Sequence, residues 1–117
     1  MKKGIKPDEV AELFYKLLVE GKYDQWLKTF RKYHREQAER HGSSPDLYWR
    51  AGRKMQDKYG YTYHRVKEKD QKISDTHWKL WFQRKKPDGL KSGSPAPIHI
   101  VRDKESGGEW RVDIATV

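Results

Sequence analysis

At Gly60–Tyr61 the chain changes its hydrophobic period. Before that point apolar side chains recur every three to four residues; after it they alternate. The two repeats put apolar groups on one side of different backbones, a helix in the first case and a strand in the second. The expected class is therefore α+β, with three N-terminal helices packed on an antiparallel sheet of about four strands and residues 1–117 forming a single domain.

The first helix is expected to open at Pro7-Asp8-Glu9, with proline in the first turn and acids at the positive end of the helix dipole. Val10, Ala11, Phe14, Leu17 and Leu18 form one stripe, and Gly21 ends it. A second helix is expected from about Tyr23 to Arg40, with Tyr23, Trp26, Leu27, Phe30, His34 and Ala38 along one side. The third is expected to start with Ser44 as cap and Pro45 at its first position. Leu47, Tyr48, Ala51 and Met55 would be its inner face, and Gly60 its stop.

In the second half Lys69-Asp70 reads as a hairpin turn, Ile73–Arg84 as the strongest strand, and Lys85–Pro97 as an irregular loop. Ile98, Ile100 and Val101 resume a strand; Ser106-Gly107-Gly108 turns the chain, and Trp110, Val112 and Ile114 alternate after it. Short connections imply antiparallel neighbours. Parity then assigns two faces. Val66, Trp78, Leu80, Phe82, Ile98, Ile100, Trp110, Val112 and Ile114 should turn towards the helices. Tyr61, Tyr63, Arg65, His77, Lys79, Trp81, His99, Arg111 and Asp113 should face away.

Only 34% of the residues are apolar and 37% are charged, a balance that in an aromatic-poor chain would signal disorder. Here 13% are aromatic, so a core of a few large rings is expected instead. The net charge of +9 is spread, +5 over residues 1–60 and +4 over 61–117, which leaves no basic arm. It favours polyanions as partners, although a well-solvated surface has the same composition. No cysteine is present, so disulfide and thiolate chemistry are excluded. No apolar run reaches the roughly 18 residues of a membrane span. Met-Lys-Lys-Gly is not followed by an apolar segment, so the expected address is cytoplasmic by default, or extracytoplasmic if a leader has been removed.

The stretch Glu9–Trp26, ending in Gly21-Lys22-Tyr23-Asp24, resembles the first two helices of the nuclear transport factor 2-like (cystatin-like) superfamily, and Gly107-Gly108-Glu109-Trp110-Arg111-Val112-Asp113 is similar to its last strand. The chain is closest in character to the small bacterial members. The resemblance implies a curved sheet wrapped on the helices as a cone with a pocket at its wide end, and often dimerisation through the outer sheet face. Members range from cyclases and isomerases to non-catalytic assembly domains, so fold alone does not choose a function.

Enzymatic members use a carboxylate or histidine inside the cone as acid or base. The candidates implied here are His34 and His64, with Tyr15 and Tyr48 as hydroxyls; Tyr63 is a further hydroxyl. The plainer alternative for each is a packed ring with one hydrogen bond. No aspartate falls on an inward strand position, Asp75 and Asp113 both reading as outward, which argues against catalysis. His34, His41, His64, His77 and His99 have no chelating spacing; His77 and His99 could meet across neighbouring strands, and neither metal nor other cofactor is implied. No phosphate-binding glycine loop or nucleophile elbow occurs.

Tyr61, Tyr63, Arg65, His77, Lys79 and Trp81 interleave rings with positive charge on the expected outward face. Such a surface suits a protein interface, and it also suits single-stranded nucleic acid, though the ribonucleoprotein signature is absent. Three readings follow: a non-catalytic binding or assembly module dimerising through this face with Trp81 as anchor, a small-molecule enzyme or carrier taking an apolar ligand in the cone, and a nucleic-acid-binding sheet.

Overall fold

Pro7 opens the first helix and Gly21 closes it, as expected. In the computed structural model, which describes residues 1–117, α1 runs Pro7–Glu20 and Gly21 takes the left-handed conformation at φ 73°. The Lys6 amide donates to Glu9 Oε1 at 3.1 Å, which satisfies one of the free N–H groups at the helix start. The stripe Val10, Ala11, Phe14, Leu17 and Leu18 is buried.

The expected second helix is two short ones, α2 (Tyr23–Leu27) and α3 (Lys32–Glu36). Between them the chain lies beside the last strand: Val112 N donates to Thr29 O and Arg31 N to Val112 O, while Phe30 bridges Val112 in parallel. Two side chains make the break. Thr29 Oγ1 donates to Trp26 O at 2.7 Å, and Asp103 Oδ2 accepts from the Lys32 amide at 2.8 Å where α3 begins. The apolar stripe survives the break, since Trp26 and Phe30 are fully buried and Ala38 nearly so.

The last helix, α4, spans Ser44–Tyr59. Its cap is Ser43, one residue before the expected Ser44: Ser43 Oγ accepts from the Asp46 amide at 3.3 Å. Its inner face is Pro45, Tyr48, Trp49 and Gly52. Leu47 and Ala51, expected inside, are exposed, and Met55 is half-buried. Gly52 decides this rotation, because a Cβ there would lie 2.7 Å from Leu18 Cδ1; only a glycine lets α4 approach α1 so closely.

The sheet is antiparallel and strongly curled, with order β1-β3-β4-β5 and β2 also on β3; the strands are β1 (Thr62–Arg65), β2 (Gln71–Ser74), β3 (His77–Lys85), β4 (Ala96–Asp103) and β5 (Glu109–Ile114). β1 and β2 pair with opposite ends of β3, so they form one edge strand interrupted by a 3-10 turn at Lys67–Lys69. Lys69-Asp70 is therefore a break within an edge, not the expected hairpin turn. The hairpin turn is Asp75-Thr76, where Ser74 Oγ accepts from the Thr76 amide at 3.2 Å. Such an interruption protects an edge from pairing with another chain. A second irregularity lies between His99 and Ile100 opposite β5, and Asp113 is the extra residue there.

The parity expected from Trp78 onward holds for β3 and β4: Leu80, Phe82, Ile98 and Ile100 are at most 2% exposed and face α1, while Trp81 lies outside the core beside Pro97. Two assignments are corrected. Ile114, expected inward, is 53% exposed, because the bulge at Asp113 turns it to the side of His99. The parity of β1 is also reversed. Tyr63 pairs with Arg84 and Arg65 with Phe82, so Tyr63 and Arg65 face the helices, as does buried Tyr61 just before the strand. Thr62 and His64 face away. No helix is long and apolar enough to cross a membrane.

Candidate functional site: an outward face of rings and cations

The space between the helices and the curled sheet is filled by rings. Phe14 lies 5.4 Å from Trp26 and 5.5 Å from Phe30, and Trp26 lies 4.9 Å from Trp49, centroid to centroid. Of the inner candidates, Tyr15 and His64 line one groove together with Tyr63, whereas His34 and Tyr48 lie away from it. Tyr15 Oη donates to Thr116 O at 2.8 Å, Tyr48 Oη accepts from the Ala115 amide at 3.3 Å, and His34 Nε2 lies 3.4 Å from Asp113 Oδ1. All three hold the stretch 113–116. Burial pushes the Tyr15 hydroxyl far above its ordinary range, so it stays protonated. His64, expected inside, is exposed on the outward side of an edge strand and bonds Thr62 Oγ1 at 2.7 Å.

Asp113, expected in solvent, is a structural carboxylate. It accepts from Arg31 Nη1 at 2.8 Å as well as facing His34, and these partners hold its pKa down at about 2. Asp103 has a similar role: burial pushes its pKa up, but bonds from Ser106 and from the Lys32 and Glu105 amides outweigh this and hold it below the usual range. Neither aspartate was legible as a structural partner, because each depends on chain more than 70 residues away in sequence.

Of the six outward candidates, Tyr61, Tyr63 and Arg65 leave the face. Tyr61 Oη bonds Ser92 Oγ at 2.8 Å, Tyr63 stacks on Tyr15, and Arg65 is held by Asp8 and Asp70. His77, Lys79 and Trp81 remain, projecting from alternate positions of β3 with Gln83 and Lys85 beyond them. Across the strand pairs stand Gln71 opposite Lys79, His64 opposite Gln83, and Pro97 opposite Trp81. The Trp81 ring is approached by Lys79 Nζ at 4.8 Å from its centroid and by Lys69 Nζ at 5.5 Å. Lys69 is the residue sequence reasoning missed, since a turn position gives no sign that the edge break lifts it over a ring.

His77 Nε2 and His99 Nδ1 are 2.8 Å apart, so one imidazole donates to the other and the accepting nitrogen carries no proton. Burial, then the nearness of His77 and Lys79, lower the pKa of His99 below the ordinary histidine value. No group of three or more metal-ligating side chains forms around them or elsewhere.

Gln83 Nε2 donates to the carbonyls of Arg84, Ser92 and Gly93, which ties the loop before β4 over this end of the sheet. Beside the loop is an open recess of about 330 Å³, lined among others by His64, Lys69, Gln83, Lys85 and Lys91, with Glu68 its one acid. A larger groove of about 530 Å³ runs between α1 and β1, but it mixes Glu12 and Glu20 with Lys16 and His64. The sequence matches no protein-family model and no curated protein.

Proposed function

We propose that the protein is a non-catalytic binding module that docks an anionic partner on the outward face of its sheet, with Trp81 at the centre. One observation carries this reading: Trp81 stands outside the core between Lys69 and Lys79, and the outward positions of β3, namely His77, Lys79, Trp81, Gln83 and Lys85, include no carboxylate. A half-buried indole flanked by cations, outside the core cluster that holds most of the fold's rings, is poorly accounted for by packing.

An enzyme or carrier working inside the cone has less support, since large rings occupy that interior and three of its polar candidates, Tyr15, His34 and Tyr48, are bonded to residues 113–116. A homodimer through the outer face is also the poorer fit. Two copies meeting there would set Lys69, Lys79, Lys85 and Lys91 against their own kind, and like-charge contacts are costly at an interface.

The test compares two double variants of equal net charge for binding to polyglutamate at low salt. Lys69→Glu/Lys79→Glu is expected to weaken binding at least tenfold. Lys54→Glu/Lys58→Glu, on the exposed side of α4, is expected to change it little. Equal losses in the two would mean that only net charge matters, and the proposed face would be wrong.

A further inference from the structure

We infer that the anionic partner is a single-stranded nucleic acid, with a base stacked on Trp81 and its phosphates on the surrounding lysines; this rests on the docking face proposed above.

Three features favour a nucleic acid over an acidic protein. The first is the flat ring at the centre of the charge. A carboxylate surface would pair with the lysines and leave the indole with no partner, whereas every base offers a π-face to it. Lys69 is exposed, so its ammonium can move from the ring to a phosphate and leave that side of the indole open for a base.

The second is spacing. Lys79, Trp81 and Lys85 stand on the outward side of one strand, Lys79 and Trp81 about 7 Å apart along it and Lys85 about 14 Å further on. A cation, a ring and a cation thus follow in a line that a sugar–phosphate chain can track, while buried Gln83 holds the loop beside the last two. The third is the recess beside that line, where Lys69, Lys85 and Lys91 bring three cations together against the single acid Glu68. The nearby Asp70 is already bound by Arg65. Only one ring is presented, which suits stacking of a flexible single strand without sequence reading.

The experiment measures fluorescence anisotropy of a labelled oligothymidylate and of labelled polyglutamate with the whole chain, across a salt series. The oligothymidylate is expected to bind with an affinity that falls with salt at about −0.7 per phosphate contacted. Trp81→Ala is expected to weaken it about tenfold, Trp81→Phe to keep most of the affinity, and neither to change polyglutamate binding. Oligothymidylate binding that is indifferent to Trp81→Ala would overturn the inference. So would polyglutamate binding as tightly as the oligonucleotide, which would point to an acidic protein and leave the docking face standing. If neither ligand bound, both readings would fall together.

Discussion

Tyr63 lies flat against Tyr15, with ring centroids 4.4 Å apart and planes at 16°, and this pair sets which way β1 faces. With Tyr63 turned to the helices, Arg65 falls on the same side and meets Asp8 of α1 at 3.1 Å, while His64 is left in solvent. Tyr63→Ala should therefore cost about 2 kcal/mol through lost ring packing. His64→Ala should stay within about 0.5 kcal/mol. Urea denaturation of the two variants checks the order; the reverse order would mean that β1 faces the other way.

Gly52 sets the approach of α4 to α1. Alanine is a better helix former than glycine by about 1 kcal/mol, so Gly52→Ala would be stabilising at an open helix site. Here the added Cβ meets both Leu18 methyl groups, at 2.7 and 2.8 Å, and Leu18 is 1% exposed with little room to move. The clash should win, for a net loss of about 1 kcal/mol. A rise in melting temperature for Gly52→Ala would show that the two helices can part at no cost.

Asp113 gives the fold an acid sensitivity of known direction. Its pKa is about 2 in the fold against 3.8 for the free group, so the native state holds fewer protons between those values. The contribution is fully present above about pH 4 and is lost as the pH falls from there towards 2, on the order of 2 kcal/mol in all. Asp113→Asn should lose stability at neutral pH, because the bond from Arg31 weakens, and should show a flatter acid limb than the wild type. Identical acid limbs in the two proteins would contradict the bonding at Asp113.

His99 should titrate below 6.5, its ordinary value, because burial and the nearby His77 and Lys79 disfavour its charged form. The sign is set by the lowered pKa: the contribution of His99 to stability is intact above 6.5 and declines as the pH falls below it. An NMR titration of the His99 ring protons checks this, with a midpoint at or above 6.5 as the contrary result.

Much of the fold was legible because its strongest signals are local. The change of period at Gly60, Pro7 and Gly21 around α1, and the alternation of Trp78, Leu80 and Phe82 each depend on neighbouring residues. What escaped depends on distant partners. Nothing near Thr29 says that Val112 will draw that backbone out of a helix, and nothing near Ser44 says that Gly52 must face Leu18. The facing of β1 is hidden for a particular reason: Val66, whose apolar side chain reads as an inward marker, lies past the end of β1 at the edge break. Half of the candidate face was lost with it. Trp81, Lys79 and His77 were placed correctly because the long strand β3 has apolar residues on alternate positions to fix its phase.

The binding face can be located directly by NMR, following backbone amides and tryptophan indole N–H signals while a short oligothymidylate is added. The largest shifts are expected at the Trp81 indole and at residues 69, 79, 85 and 91. Shifts centred instead on Arg50, Lys54 and Lys58 along the exposed side of α4, with the Trp81 indole unmoved, would contradict the assignment of the outward sheet face as the docking surface.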